Sequence, residues 1–515
     1  MTANPGTSKR RRTWGVHAFI VDTQDLPPFK PILQSIVRMA FTAGLQTLAQ
    51  RGQTLEAIKT DRVALDRFMR GCHRGYDKAQ QRIGSEILTL QQQAEDTQAE
   101  LTRARQLKDS NRARIDNRLT ALRNRQLALR RIIDALLCVI TNFDTWILRR
   151  LLYEDRVYEI DKAVLPKMLG TAARRNSENR LRFSLVGDLS TIVQIGDLVE
   201  ISFDSSDRRW KVIELKEGHI NEVLSGLLSS SDVLQPEMEH RVEATLGKSA
   251  VKQARRMQRQ KHRLSELHRV ITTDRGSDPS TNVPIVITPD RIFTENYVDA
   301  ILRIVDSSRT KGFGAASLPG GLHLVGLRRD RAVGGYVGAV NHVFFHMRYP
   351  DRVCNLAEGG GRASEELQAM DDGSVFVDLV AHSMYAQWGT PVYFWLKPEE
   401  TPDLVTGDVR IFAQFDIDAF FALAAKEGIQ LSWVTGNQAE KLKKEKLSRQ
   451  IPGSPNAWGI NAVLPDGSKQ TLLAGSIARV IADLTTPRQL IALIKRHPEQ
   501  MRKAGMDPSE FSHTS

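Results

Sequence analysis

The sequence predicts a mixed α/β (α+β) protein with a helical N-terminal domain, a central unit of a helix, three strands, a helix and a strand, and a C-terminal α/β domain. Three observations predict this order. Apolar residues recur at heptad spacing before residue 160, short apolar runs bounded by turns follow, and helix-like and strand-like segments then alternate. Because domains typically hold about 100–200 residues, we place them at residues 1–160, 161–290 and 291–515.

Two heptad stripes predict a coiled-coil arm in the first domain. The stripes are out of phase across Asp109, Ser110 and Asn111. The segment is therefore either an antiparallel helical hairpin that turns there or one long helix with a stutter. A stripe over residues 83–140 is also compatible with a homo-oligomer. The stripes consist of Ile83, Ile87, Leu90, Ala94, Thr97, Leu101 and Ala104, and of Ile115, Leu119, Leu122, Gln126, Leu129, Ile133, Leu136 and Ile140.

Positive charge is concentrated in two segments of a chain whose net charge is +12. Residues 101–150 hold twelve Lys/Arg against four Asp/Glu, an excess of +8, and residues 241–270 hold nine against two, an excess of +7. Such segments favour anionic partners. The arm is thus either a solvated coiled coil or an arm that lies along a phosphate backbone.

The cysteine content and the apolar runs indicate the compartment. The three cysteines, Cys72, Cys138 and Cys354, are too few for a disulfide framework or a four-thiolate zinc site. No apolar run approaches the ~20 residues of a membrane span, and the basic N-terminus lacks the apolar core of a secretory signal. We expect a cytoplasmic protein without a membrane partner.

The central unit is read from a change of pattern after Leu165 and Pro166. Apolar runs rich in β-branched residues predict strands, and the turn residues 204–207 separate two of them. The predicted elements are a helix over residues 167–178, strands over residues 181–186, 192–203 and 210–215, helical sequence over residues 220–270 with a break at residues 229–236, and a strand over residues 283–288.

The C-terminal domain alternates between strands and helices. Thr486 and Pro487 provide an N-cap and a first-turn proline for its last helix. The other predicted elements are strands over residues 322–327, 336–347, 375–382, 392–396, 409–415 and 429–434, a helix over residues 419–427, an exposed helix at residues 441–446, and a hairpin over residues 462–473.

Three polar groups in this domain have ordinary structural interpretations. His342 and His346 share a face but lack a third metal ligand. Residues 359–366 contain three glycines before a helix-like start, yet they match neither a P-loop nor a dinucleotide fingerprint, so a loop is expected. Asp416 and Asp418 precede a helix, which favours a capping role.

Three charged residues on the second and third predicted strands indicate a catalytic site. Asp197 lies in one apolar strand, and Glu214 and Lys216 share a face at the end of the next. Two converging carboxylates suit Mg²⁺ or Mn²⁺, which would polarise a phosphoryl group and activate a water molecule. Lys216 would orient that water or balance developing charge. This chemistry is phosphodiester hydrolysis; the alternative is an exposed strand edge with Asp197 serving a turn.

These residues resemble the PD-(D/E)XK nuclease superfamily, whose signature is an Asp on the second strand and an acid-x-Lys on the third. The similarity covers residues 160–290 and implies a restriction-endonuclease-like core of order αβββαβ. Asp197 and Glu214 would be metal ligands and Lys216 the catalytic lysine. By the same resemblance Glu178 and Gln253 would be accessory residues. Gly196 stands where the family usually has proline.

The basic segment 248–263 gains a role in that setting. Its lysine and arginine side chains would contact DNA phosphates, an interaction that does not depend on the base sequence. The alternative is a solvated helix face. The expected function is a metal-dependent DNA endonuclease, in bacterial defence or DNA processing, with RNA and a protein activator left open. The alternatives are a non-catalytic DNA-binding or assembly protein and a separate site near residues 359–366. The expected phosphate-contacting residues are Lys252, Arg255, Arg256 and Arg259.

Overall fold

A computed structural model gives the fold of the protein, and it divides the chain into two compact units. The N-terminal unit contains residues 20–292 and 387–406, and the C-terminal unit contains residues 1–19, 293–386 and 407–515. The structure describes residues 19–54, 61–141, 148, 151–152, 160–194, 196–202, 210–213, 236–273, 275–277, 284–286, 296–329, 374–385, 391, 400–444, 451 and 458–503.

The N-terminal unit starts with three helices, α1 (Lys30–Ala49), α2 (Arg62–Gln106) and α3 (Arg112–Ile140). The side chain of Asp61 caps α2 by accepting a hydrogen bond from the Val63 N–H at 2.8 Å. Helices α2 and α3 pair in opposite directions, because the Arg105–Asp116 ion pair lies nearer the turn than the Arg118–Glu100 pair. The helical hairpin is therefore the correct alternative for the heptad segment.

The heptad stripe is covered within one chain. Ile83 and Ile87 on α2 are fully buried, as are Leu129 and Ile133 on α3. These residues fill the space where α2 and α3 pack on each other and on their neighbours. An oligomer would therefore have to use a different surface.

Helix α1 packs closely on α2 because glycines line the contact. A Cβ atom on Gly75 would lie 2.4 Å from the carbonyl oxygen of Met39, and a Cβ atom on Gly71 would lie 2.6 Å from Oγ1 of Thr47. Real Cβ atoms do not approach backbone oxygens that closely. The glycines thus set the spacing between the two helices.

A three-stranded antiparallel sheet follows helix α4 (Leu165–Glu178). Its order is β1 (Arg182–Val186), β2 (Leu198–Ser202) and β3 (Trp210–Ile213). The predicted helix and the three predicted strands are present, but the second strand begins six residues later than expected. Residues 187–194 form a 3₁₀ turn and an irregular loop instead, which helix α3 holds by side-chain hydrogen bonds.

The outer edge of β1 is closed by side chains rather than by another strand. Gln80 of α2 accepts a hydrogen bond from Val186 N–H at 2.8 Å, and Asn176 of α4 accepts one from Ser184 N–H at 2.7 Å. His73 of α2 bonds the carbonyl oxygen of Arg182 at 2.6 Å. An exposed row of backbone donors and acceptors would template further pairing, so these side chains make β1 a protected edge.

Two helices and a small hairpin complete the N-terminal unit. Helices α5 (Pro236–Leu246) and α6 (Lys248–Thr273) pack on each other. The predicted last strand is present as β5 (Pro284–Val286), but it pairs with β4 (Arg275–Ser277), which the sequence did not indicate. The two strands are separated by only six residues, so the antiparallel pairing is local. The described order is thus one helix, three strands, two helices and two strands. The short helix α9 (Thr401–Val405) also belongs to this unit.

The C-terminal unit contains two antiparallel sheets, so the mixed α/β class is confirmed. The first sheet has the order β6-β7-β9-β8 and the second the order β10-β11-β12. The elements are α7 (Val298–Lys311), β6 (Phe313–Leu318), β7 (Leu322–Arg328), β8 (Ser374–Asp378), α8 (Leu379–Tyr385), β9 (Val409–Asp416), α10 (Ile417–Lys426), β10 (Gln430–Trp433), α11 (Gly436–Lys444), β11 (Ile460–Val463), β12 (Lys469–Leu472), α12 (Ala474–Ala482) and α13 (Pro487–Lys503).

Two acids in this unit act as helix caps. Asp416 accepts a hydrogen bond from Ala419 N–H at 3.1 Å, which confirms the predicted capping role. Asp378 accepts one from Ala381 N–H at 3.0 Å. This second cap ends β8 and starts α8, so the strand expected over residues 375–382 is half strand and half helix.

Other predictions in the C-terminal unit fall where the structure gives no description. The strands expected at residues 336–347 and 392–396, the two histidines and the glycine-rich segment 359–366 all lie outside the described residues. Among the helices that the structure describes, none combines the length and the apolar composition that crossing a membrane requires.

Candidate functional site

Asp197, the first of the three expected catalytic residues, directly precedes β2. Its backbone N–H donates to the carbonyl oxygen of Ile213 at 2.9 Å, and its own carbonyl accepts from Gly187 N–H at 2.8 Å. The bond to Gly187 continues the β1–β2 pairing by one residue. The bond to Ile213 places Asp197 and Leu198 together opposite Ile213 at the end of the β2–β3 ladder, as in a β-bulge. Asp197 is half-buried. The predicted hairpin therefore brings Asp197 to the residue that directly precedes Glu214.

Gly196 allows this close pairing. Its φ angle is +77°, in the left-handed region, and a Cβ atom there would lie 2.2 Å from Cγ1 of Val212 on β3. The glycine found where the nuclease family usually has proline is thus required by the backbone of this chain.

A buried polar network on α3 holds the loop that leads to Asp197. The carboxylate of Asp134 accepts hydrogen bonds from Thr191 N–H at 2.9 Å, from Thr191 Oγ1 at 2.5 Å, and from the Ser190 hydroxyl. Arg131 Nη1 pairs with the same carboxylate at 2.9 Å, and both side chains are fully buried. Ser190 Oγ in turn accepts from the N–H groups of Ile192 and Val193. The loop is therefore fixed by a charged pair with its hydrogen bonds satisfied.

Arg130 strengthens the same anchor from the next position of the helix. Its Nη2 donates to the carbonyl oxygen of Ser190 at 2.7 Å. Burial lowers the pKa of Arg130 to about 10, while the charges of Asp134 and Asp188 act in the opposite direction. The nearby carboxylates partly compensate the cost of burying this cation.

Glu200 is a second acid on β2, which the sequence analysis did not single out. It is 7% exposed and accepts from Arg175 of α4 at 2.8 and 3.0 Å, and from Ser184 Oγ at 3.3 Å. Residues three apart on a strand point to opposite faces, so Glu200 faces away from the Asp197 side. Its carboxylate is engaged in a structural ion pair. The only sequence signal was an acid within the apolar run LVEIS.

The structure does not bring Glu178 and Asp197 together. Glu178 is exposed and ends α4 near the first residue of β1, whereas Asp197 bonds Gly187, just past the last residue of β1. The five residue steps from Arg182 to Gly187 correspond to roughly 16 Å of strand. An accessory role at the same metal ion thus gains no support from these positions.

The other predicted site residues are described only in part. Glu214 and Lys216 lie outside the described residues, and so do the side chains of Lys252, Gln253, Arg256 and Arg259, whose backbone belongs to α6. Arg255 is exposed, and its guanidinium makes a two-bond ion pair with Glu239 of α5 at 2.6 and 2.7 Å. The pair lowers the pKa of Glu239 through its hydrogen bond with Arg255. Arg255 therefore joins α5 to α6 as well as being accessible to solvent.

The described residues contain no group of three or more His, Cys, Asp or Glu side chains that would hold a metal ion. The expected pair of ligands, Asp197 and Glu214, includes a residue outside that description, so the metal stays a prediction. Comparisons of the chain with protein-family models, with curated proteins and with solved structures find no match. The function is therefore argued from the geometry of this chain alone.

Proposed function

We propose that the protein is a metal-dependent nuclease that hydrolyses phosphodiester bonds in DNA. Asp197 and Glu214 would bind Mg²⁺ or Mn²⁺, and Lys216 would act as the catalytic lysine. One observation supports this proposal above the others: the hydrogen bond from Asp197 N–H to the carbonyl oxygen of Ile213. Glu214 is bonded covalently to that carbonyl, so Asp197 lies beside the end of β3 from which the chain continues into Glu214 and Lys216.

The ligand geometry of the proposal follows from the strand register. Leu198 pairs with Ile213, and Asp197 N–H also bonds the carbonyl oxygen of Ile213, so Asp197 lies opposite the last described residue before Glu214. Successive residues of a strand are about 3.3 Å apart, and the carboxylate of Glu214 would therefore be within one residue step of this point. Two neighbouring carboxylates suit one hard divalent cation, which keeps water molecules and accepts phosphate oxygens as further ligands.

The surroundings of Asp197 also suit a catalytic role. A metal ligand has to be held in a fixed position by its supporting residues. The chain before Asp197 is fixed by the Asp134 network, and the chain after it lies in the middle strand of the sheet. Glu200, three residues further along β2, is held by its ion pair with the half-buried Arg175. Little freedom is left to the backbone on either side of the carboxylate.

The test is cleavage of plasmid and linear DNA by the purified full-length protein with Mg²⁺ or Mn²⁺ and with chelator. Asp197→Asn, Glu214→Gln and Lys216→Ala should each lower the cleavage rate by about 10²-fold or more, because each removes charge stabilisation at the reacting phosphate. Lys211→Ala is the matched control, since Lys211 is an exposed lysine on the same strand β3. Full activity in both the Glu214 and the Lys216 variants would disprove the assignment.

The second candidate is a non-catalytic DNA-binding or assembly protein. It is favoured by the α2–α3 hairpin, on which exposed Arg103, Lys108 and Arg112 make no ion pair with any described residue. This candidate predicts DNA binding that weakens steeply with salt, because phosphate contacts release counterions, and it predicts no product under any metal condition. The same purified protein and DNA distinguish the two candidates.

A further inference from the structure

The turn between α2 and α3 presents an apolar side chain surrounded by positive charge. Leu107 is 80% exposed, which makes it the most exposed large hydrophobic residue in the described part of the chain. Residues 101–118 contain six Lys/Arg and two Asp/Glu, a net charge of +4. A single exposed leucine is common on protein surfaces. A leucine at the centre of a basic turn indicates a partner that is negatively charged and also offers an apolar contact.

Three cations of this turn make no side-chain hydrogen bond or ion pair with the described residues. Arg105, Arg114 and Arg118 pair with Asp116, Asp25 and Glu100. In contrast, the exposed side chains of Arg103, Lys108 and Arg112 make no hydrogen bond or ion pair to the rest of the described structure. We call these three residues with Leu107 the hairpin tip. Arg103 and Leu107 are four residues apart and so lie on one face of α2.

The backbone of the hairpin tip is well ordered by its own hydrogen bonds. Lys108 has a φ angle of +52°, and Asp109 N–H reaches back to the carbonyl oxygen of Ala104 at 2.9 Å. The side chain of Asp109 then accepts from Asn111 N–H at 2.8 Å. This is the left-handed helix ending known as a Schellman motif, followed by an Asx turn. Leu107 is therefore presented by a fixed turn and loses little backbone entropy on binding.

We propose that the hairpin tip is a contact surface for double-stranded DNA, on which Arg103, Lys108 and Arg112 bind phosphates and Leu107 packs into the minor groove. The charge excludes a second copy of the same tip as the partner, because the three cations of one tip would repel the three cations of the other. Apolar wedges flanked by basic residues are a common means of minor-groove binding. The choice of DNA rests on the proposed function, but binding in chelator does not depend on cleavage.

The experiment measures the binding of the full-length protein to a fluorescent DNA duplex in chelator over a series of salt concentrations. Leu107→Ala should weaken binding about tenfold without changing the salt dependence, because it removes apolar contact area and no charge. The triple variant of Arg103, Lys108 and Arg112 to alanine should reduce the slope of log K against log salt by roughly 2–3, since each phosphate contact contributes about 0.9.

Matched controls lie on the same helix at a distance from the hairpin tip. Arg74 and Lys78 are exposed cations on α2, and Val63 is an exposed apolar residue, 62% accessible, at its other end. The Arg74→Ala, Lys78→Ala double variant and Val63→Ala should bind like the unmodified protein. Circular dichroism verifies that every variant folds. Leu107→Asp is a second test of the apolar position. It should bind DNA more weakly than Leu107→Ala, because the carboxylate is repelled by phosphates.

Three outcomes would overturn the proposal. The hairpin-tip variants could bind DNA as the controls do, or the unmodified protein could fail to bind duplex DNA in chelator. It could also bind vesicles of phosphatidylcholine and phosphatidylserine through Leu107 while ignoring DNA, which would make the tip a membrane contact. DNA binding that depends on the tip but occurs without any cleavage would uphold this inference and refute the nuclease.

Discussion

Replacing Asp134 with alanine tests whether the buried network on α3 holds the loop before Asp197. The carboxylate of Asp134 receives hydrogen bonds from Ser190 and Thr191 and an ion pair from Arg131, and neither charged side chain of the pair is exposed. Removing one partner of a buried ion pair leaves the other charge uncompensated and costs roughly 3–5 kcal/mol. Asp134→Ala should therefore destabilise the N-terminal unit by that amount.

Two other variants calibrate the magnitude. Thr191→Val removes one hydrogen bond to the charged carboxylate, the 2.5 Å contact from Oγ1, and should cost roughly 1.5–3 kcal/mol. Arg123→Ala is the matched control on the same helix, because Arg123 is exposed and bonds only Gln98 at 3.1 Å in the described structure. A surface change of this kind should stay within about 0.5 kcal/mol.

Hydrogen exchange followed by mass spectrometry is the appropriate assay, because a chain of two compact units does not give one unfolding free energy. In Asp134→Ala, the backbone amides of Thr191, Ile192 and Val193 should exchange about 10²-fold faster or more, since each 1.4 kcal/mol is a factor of ten. Amides of the C-terminal unit should keep their rates. Exchange at residues 191–193 equal to that of Arg123→Ala would refute the anchoring role.

Two further predictions concern buried ionisable groups. Glu200→Gln keeps the shape of the side chain but removes the charge that pairs with Arg175. It should lower the stability of the N-terminal unit by about 1–3 kcal/mol, measured as faster hydrogen exchange of the β1 and β2 amides, and unchanged exchange would mean that the pair contributes nothing net. Burial raises the pKa of Cys72 to about 12 from 9.0. Between about pH 9 and about pH 12 the Cys72 thiol is therefore protonated in the folded chain and ionised in the unfolded chain. The stability that the protonated thiol contributes is complete below pH 9 and is lost as the pH rises toward 12. For the unfolding transition of the N-terminal unit, which contains Cys72, the free energy of unfolding of the unmodified protein minus that of Cys72→Ala should thus fall by about 2–3 kcal/mol from about pH 8 to about pH 11, and a constant difference would contradict the reasoning.

The helical part of the fold was predictable because its signal is local and periodic. The phase break at Asp109 coincides with the turn between α2 and α3, and the stripe residues face the interior as heptad spacing requires. The sequence left the choice between a hairpin and one long helix open. The deciding feature is the left-handed backbone conformation of Lys108 at the end of α2. A glycine at this position would have indicated a helix end from the sequence, whereas a lysine does not.

The strands and the anchor of the site were less predictable because distant residues decide them. The run from residue 192 has the composition of a strand, but Asp134, about 57 residues earlier in the chain, holds Thr191 in a loop. Asp197 and Glu200 both look like acids in an apolar strand, and the pairing of Glu200 with Arg175 of α4 is visible only in the structure. Sequence spacing gave the correct hairpin for Asp197, whereas ion-pair partners had to be read from the structure.

Helix α3 carries both a residue of the hairpin tip and the anchor of the loop before Asp197. Arg112 of the hairpin tip begins the helix, and Asp134, which anchors the loop before Asp197, lies 22 residues further along it. At 1.5 Å per residue the axial distance between them is about 33 Å. Residues 128–140 of α3 are buried, so only the first part of the helix faces solvent. The tip and the anchor are therefore far apart and share no partner among the described residues, and the effects of variants at the two places should add independently.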